Sequence, residues 1–321
     1  MPFAPALSTP NRRSFLRMGA ISAAALAAAP LRAFAQAPAA DPLTSMRAPA
    51  LTTPITTTRL YDNLFLLQGA GGNMATQIGP EGKLLIDASY LTAAPRILEA
   101  LKALSPDPLD ALINTHWHVD HADGNQPLHE AGFTIFAHSK TRERLSTPQS
   151  IKLLGISLPA YPRAAWPSIT FDTALHADHN GDTLDLVHFD PAHTDTDIYI
   201  HFHKANVLHL GDIFFNGFYP FIDEGSGGNI HGMIAGAARG LALADSSTKI
   251  IPGHGPLATK ADLQRYHDVL VAARDAIAPL KAKGLSEAEV VAQHPTAATD
   301  TTWGKGFINP ATFNGIVYRT V

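Results

Sequence analysis

A single layered α/β domain is what the sequence predicts, on three observations. Short apolar and β-branched runs of strand length recur in both halves of the chain. Longer stretches of helical character separate them, and the composition does not break anywhere after residue 54. The boundaries that follow are 1–35, 36–54 and a single domain over 55–321.

The first 35 residues stand outside that domain. Arg12 and Arg13 precede Ser14-Phe15-Leu16 in a twin-arginine pattern, the small apolar run from Met18 to Pro30 follows, and Ala33-Phe34-Ala35 offers a cleavage site before Gln36. The run is too short and too rich in alanine to read as a membrane anchor. These features predict a twin-arginine export signal, with a bacterial periplasm as the destination. Residues 36–54, rich in Ala, Pro and Thr, read as a flexible lead-in.

Losing the segment removes four Arg and no acid, so Lys+Arg falls from 24 to 20 against 28 Asp+Glu, a net charge of about −8. That balance disfavours nucleic acid and anionic membranes, which both need basic surface. Zero cysteines excludes disulfides, iron–sulfur clusters and thiolate metal ligands. No later stretch approaches 18 uninterrupted apolar residues, so no membrane span is expected in the mature chain.

In chain order, strands are expected at 64–68, 74–78 and 83–87, a helix at 92–104, and an apolar strand at 111–114. Asp123 is placed to cap a helix after it, and another strand is expected at 133–137. The segment 151–167 carries Pro159, Pro162 and Pro167 with little periodicity. It has two readings, an irregular loop overhanging a site or a plain surface connection. Strands at 184–189, 198–202 and 207–210, a helix at 230–244, a short strand at 249–251 and a long helix at 260–283 complete the pattern.

The chemistry lies between Asn114 and Gly124, where His116, His118, Asp120 and His121 form the pattern H-x-H-x-D-H. Three imidazoles and a carboxylate within six residues suit zinc and similar divalent metals. His116 and His118 are two apart, so an extended backbone points them the same way. Asp120 and His121 follow a bend, where they can face a second ion beside the first. Three later residues each stand just past a strand-like run: His193 in Pro191-Ala-His193-Thr-Asp, Asp212 in Leu210-Gly-Asp212, and His254 between Gly253 and Gly255.

With these residues in this order, the chain resembles the metallo-β-lactamase superfamily from about Thr56 to the long C-terminal helix. The resemblance implies a four-layer αββα sandwich with two metals at one edge. It implies that His116, His118 and His193 hold one ion, that Asp120, His121 and His254 hold the other, and that Asp212 bridges them. Asp87, ending Leu84-Leu-Ile-Asp87, matches the family's buried aspartate that orients the ligand loop; read alone it is a strand-terminating turn residue. Zinc is the expected metal, with iron or manganese also compatible. The ligand set is similar to that of glyoxalase II and of periplasmic hydrolases linked to sulfur oxidation and quinoproteins. Neither the glutathione-binding pattern of glyoxalase II nor the lysine that grips a β-lactam carboxylate is visible after Asp212.

Asn229 has two readings, an oxyanion-stabilising residue or a helix N-cap. The glycines of Gly69-Ala-Gly-Gly72 lack the lysine and hydroxyl of a phosphate loop, and the family places a flexible substrate loop there. His201 and His203 are expected on the solvated face of a strand, and His176 and His179 in a turn. The implied reaction is hydrolysis of a small-molecule carbonyl compound (ester, lactone, thioester or cyclic amide), with β-lactam antibiotics as the alternative substrate.

Changing Arg12 and Arg13 together to lysine is expected to leave the precursor in the cytoplasm, whereas the unaltered chain yields a mature N-terminus at Gln36. Cell fractionation and N-terminal sequencing read this out, and unimpaired export of the double variant would overturn it.

Overall fold

The computed structural model describes residues 42–321; the expected export signal over 1–35 and residues 36–41 of the expected lead-in lie outside the described residues. In chain order the first strands are β1 (Thr56–Arg59), β2 (Leu64–Gln68), β3 (Met74–Gln77), β4 (Lys83–Ile86), β5 (Leu109–Ile113) and β6 (Thr134–His138). Next come a small hairpin of β7 (Gln149–Ile151) and β8 (Ile156–Leu158), then β9 (Ile169–Phe171). The second series is β10 (Ala174–His179), β11 (Asp182–His188), β12 (Ile198–Phe202), β13 (Val207–Phe215) and β14 (Lys249–His254). One sheet runs β1-β2-β3-β4-β5-β6-β9 and the other β10-β11-β12-β13-β14.

Side-chain alternation explains how the sheets stack. Leu84 and Ile86 of β4, with Ala111 and Ile113 of β5, join Leu184, Leu186, Ile198 and Ile200 of the other sheet in one buried cluster. Leu85 and Leu112, pointing the opposite way, pack with Ile97, Leu101 and Leu128 from helices Ala94–Leu104 and Asn125–Ala131. On the far side, Leu210 and Ile213 of β13 meet Met233, Leu263 and Tyr266 from helices Ile230–Leu243 and Lys260–Ala282. Each central strand is covered on both faces, which is why its sequence is a continuous apolar run. The result is the four-layer αββα sandwich.

Strands β4, β5 and β6 pair in parallel, as do β13 and β14. Their C-terminal ends lead into the residues singled out by the sequence. In open parallel sheets this is the edge where ligands bind.

Several expectations are corrected. Within the lead-in, Pro42–Arg47 is a helix and Pro49–Leu51 a 3-10 turn. The cause is Arg47, whose guanidinium donates to both oxygens of Asp123 at 2.8 and 2.5 Å. Asp123 therefore caps no following helix. Its carboxylate also accepts from the Leu91 amide (2.7 Å) and the Tyr161 hydroxyl (3.1 Å), and Gly124 takes the N-cap position instead. His176 and His179 belong to strand β10, paired to β11 through a turn at Asn180 and Gly181 with positive φ at both. That strand is largely exposed, so it lacks the apolar alternation that would have revealed it. After residue 283 the chain forms helices Glu287–Ala292, Ala297–Trp303 and Pro310–Thr320.

Arg47→Ala is expected to destabilise the protein by ~1.5–3 kcal/mol, the usual worth of hydrogen bonds to a charged group, by leaving Asp123 with only neutral donors. Urea denaturation tests this; an unchanged midpoint would mean that the N-terminal helix is not held by this pair.

Candidate metal centre

Four segments at the sheet edge deliver seven donors. The motif loop after β5 and the short helix Val119–Ala122 carry His116, His118, Asp120 and His121; the β11–β12 loop carries His193. Asp212 lies within β13 and His254 ends β14. Their ligand atoms gather into two groups, His116, His118, His193 and Asp212 in one and Asp120, His121 and His254 in the other, each with atoms within 4.8 Å of one another. The Asp212 carboxylate stands between them. One oxygen is 3.1 Å from His121 Nε2, and the other is 3.3 Å from His193 Nε2 and 3.5 Å from His254 Nε2.

Outer hydrogen bonds fix the ring tautomers. His118 Nε2–H donates to Asp223 Oδ2 (3.0 Å), and His193 Nδ1–H to the Phe221 carbonyl (2.8 Å). His121 Nδ1–H donates to Asp87 Oδ2 (2.7 Å). The Thr115 hydroxyl gives its proton to Asp87 (2.8 Å), so it accepts from His116 Nδ1–H (3.0 Å). These assignments follow from the bonding network. With each ring neutral, all four then aim a lone pair inward. His118 Nδ1 and His193 Nε2 face each other at 2.8 Å, a contact that needs either a shared proton or a cation beside the two lone pairs. Buried His116 Nε2 and Asp212 Oδ1 have no hydrogen-bond partner. Such unpaired inward donors fit a divalent metal centre.

Electrostatics agree. Burial, reinforced by the neighbouring rings, keeps His116 well below the usual imidazole range and lowers His193 to about 4, so both stay neutral. For His121 and His254 burial pulls downward, but carboxylates dominate: Asp212, Asp120 and Asp87 hold His121 high, and Asp212 and Asp120 raise His254 to about 10. Burial likewise opposes ionisation of Asp120, yet His121 and His254 hold it at about 2. Asp212 also stays ionised against burial, held low by His254, His121, His193 and His116. The carboxylates demand positive charge beside them, and divalent cations satisfy that demand.

Close packing leaves no room for larger residues behind the donors. A Cβ at Gly253 would stand 1.9 Å from Asp212 Oδ1, and one at Gly72 would stand 2.1 Å from the His121 ring. The Gly69–Gly72 segment is consequently tied down. Gly72 N–H donates to Asp120 O and Asn73 N–H to Gly253 O (2.8 Å), while the Asn73 side chain reaches Pro252 O and Gly255 O, both at 2.9 Å.

A cavity of about 440 Å³ opens over Asp120, Asp212, His118 and His254. Met46, Ile151, Leu154, Phe215, Phe218, Phe221 and Phe307 supply its walls, and among the described residues no Lys or Arg lines it. The 151–167 segment thus does reach the site, through the turn of the β7–β8 hairpin. Tyr90 is also in the wall. Burial first, then the charges of Asp120, Asp123 and Asp212, push its hydroxyl above the usual phenol range, so it stays protonated.

A family model described as the metallo-beta-lactamase superfamily matches residues 69–254. The chain belongs to the metallo-β-lactamase superfamily. Solved structures agree on the fold. A metallo-beta-lactamase from Pontibacter korlensis is 15% identical with a TM-score of 0.57, covering 68% of this chain and 99% of its own. DIM-1 metallo-beta-lactamase is 16% identical with a TM-score of 0.55, covering 68% and 98%. The sec-alkylsulfatase Pisa1 from Pseudomonas sp. is 16% identical with a TM-score of 0.64; it covers 83% of this chain, which spans only 50% of that longer protein. A search of curated proteins finds no match.

Within this superfamily fold, the seven donors and Asp87 meet at one place. Asn229 does not join them. Its Oδ1 accepts from Gly232 N (2.8 Å) and its Nδ2 donates to Pro191 O (2.9 Å), which makes it the N-cap of helix Ile230–Leu243 rather than an oxyanion donor. Sequence reasoning missed Asp223, Thr115 and Tyr90. Thr115 and Tyr90 lie within three residues of Asp87 or His116, and Asp223 begins the acidic pair Asp223-Glu224 after the apolar Phe218–Ile222 run. None has a spacing of its own.

Asp223→Ala is expected to weaken metal binding about 10–100-fold, the usual effect of removing a group that orients a ligand imidazole, with the circular dichroism spectrum retained. Competition with a chromogenic chelator measures this; unaltered affinity would remove Asp223 from the centre.

Proposed function

We propose that the chain is an exported hydrolase that uses two divalent ions, zinc foremost, to cleave small carbonyl compounds (esters, lactones, thioesters or cyclic amides). One observation carries the reading: four buried imidazoles turn lone pairs inward while the Asp212 carboxylate is shared between two donor groups. When bound, such an ion pair supplies Lewis acidity and a nucleophilic hydroxide near neutral pH. His116, His118 and His193 would hold one ion and Asp120, His121 and His254 the other. Asp87 fixes His121 and, through Thr115, His116, so both groups depend on one buried carboxylate.

Asp120 faces the cavity with one oxygen 3.1 Å from His254 Nε2. Being ionised, it can orient a water and take its proton. In the balanced reaction the water oxygen bonds to the carbonyl carbon, the bond to the leaving oxygen, nitrogen or sulfur breaks, and the leaving group departs with a proton. The apolar walls exclude competing solvent.

The named activities of the structural neighbours supply the competing substrates, a β-lactam and an alkyl sulfate. Both carry an anion, and among the described residues no Lys or Arg lines this cavity to grip it. Lys152 and Lys305 flank lining residues but are exposed. A β-lactam lacking its charged anchor loses ~1.5–3 kcal/mol of binding, about ten- to a hundredfold.

Elemental analysis is expected to find about two divalent ions per chain. Chelation or His118→Ala should abolish turnover, and an aryl ester, a lactone or a thioester should exceed a penicillin and a secondary alkyl sulfate in kcat/KM. A single redox-active iron would sink the dinuclear reading. A β-lactam or sulfate winning by more than about tenfold would make one of those the substrate class instead.

A further inference from the structure

Outside the two donor groups, the cavity lining contains one polar side chain, Tyr90. It is only 7% exposed. A buried tyrosine normally finds a partner for its hydroxyl. Here the hydroxyl makes no hydrogen bond to any described residue, although it shares the cavity lining with Asp120 and Asp212. The ring is held from behind: a Cβ at Gly71 would touch its Cε2 at 3.2 Å, and the Ser89 hydroxyl donates to Ala70 O at 2.6 Å, tying the preceding residue to the same loop. With no partner among the described residues, the hydroxyl is left to water or to an occupant of the cavity it lines.

The rest of the lining is carbon. Met46 comes from the N-terminal helix, Ile151 and Leu154 from the β7–β8 hairpin, Phe218 from the loop after β13 and Phe307 from the loop before the last helix. Phe307 is 72% exposed and carries the carbon lining out toward solvent. Four separate parts of the chain thus converge to build one apolar wall.

We propose, resting on the hydrolase reading above, that the site takes an uncharged ester or lactone with an alkyl or aryl tail, and that the Tyr90 hydroxyl donates a hydrogen bond to its reacting oxygen. The tail lies along Ile151, Leu154 and Phe307, and the carbonyl stands between Tyr90 and the two donor groups. Tyr90 takes the oxyanion-facing role for which Asn229 is wrongly placed. A donor aimed where charge develops strengthens its bond as the carbonyl oxygen becomes anionic, so its contribution falls on the chemical step.

Three measurements on the metal-loaded full-length mature protein test this. For p-nitrophenyl esters of increasing acyl length, kcat/KM should rise about fourfold per methylene until the cavity fills, and an ester with a terminal carboxylate should fall below its neutral counterpart of equal length. Tyr90→Phe should lower kcat about 10–100-fold with KM little changed and metal content intact. In calorimetric titrations, neutral alkyl trifluoromethyl ketones should bind more tightly with chain length even in chelator-treated protein, because the apolar wall needs no metal, and Phe307→Ala should flatten that dependence. Tyr90→Phe should weaken the ketones about five- to tenfold in the loaded protein.

Esterase activity indifferent to tail length, or a Tyr90→Phe enzyme with wild-type kcat, would overturn the inference while leaving the hydrolase reading intact. Loaded protein inactive on every carbonyl substrate would instead remove the hydrolase reading, and the chain-length dependence of ketone binding would still decide whether the cavity selects apolar tails.

Discussion

The Asp87 carboxylate is the constraint on which the site depends. It is fully buried, and a buried anion survives only when hydrogen-bonded on all sides. Its donors are the Thr115 amide (2.7 Å), the Thr115 hydroxyl (2.8 Å) and His121 Nδ1 (2.7 Å). One carboxylate thereby locks the end of β4, the loop after β5 and the first turn of the motif helix together. Its backbone adopts φ of 63°, a left-handed conformation that few residues tolerate and aspartate tolerates better than most.

From that anchor the donor geometry propagates outward. Fixing His121 at Nδ1 leaves Nε2 facing Asp212, and fixing Thr115 turns His116 the same way. Asp223 and the Phe221 carbonyl do the equivalent for His118 and His193. Rings with both nitrogens free would have chosen their own protons and partners. Here the outer shell has already chosen, so the inner nitrogens converge as acceptors. The glycines behind Asp212 and His121 are a consequence of the same crowding.

The cavity follows a different logic. Its metal-side floor is polar and rigid, while its walls are carbon contributed by elements remote in sequence, including the N-terminal helix that Arg47 pins to Asp123. Specificity in such a site comes from what the walls desolvate rather than from a charged grip. That no Lys or Arg among the described residues lines the cavity is therefore as informative as the presence of the histidines.

The layered fold and the seven donors were legible in the sequence, because both depend on short-range pattern. Strand alternation is local, H-x-H-x-D-H lies in six residues, and His193, Asp212 and His254 each follow an apolar strand. Exposed β10 and the C-terminal helices were not legible, since β10 has no buried face and the helices are short, with only the Ser286–Glu289 capping box to mark the first of them. Asn229 shows the limit from the other side: as a residue type it fits an oxyanion donor, but the helix beginning at Ile230 and the Pro191 carbonyl engage both ends of its amide. Asp223 and Tyr90 gain their meaning only from where the chain returns in space, one behind His118 and the other opposite Asp212. Sequence alone determined which atoms can hold a cation; tertiary structure decided which nitrogens face inward and what the cavity excludes, because tautomers and walls are set by contacts between residues as far as 105 positions apart.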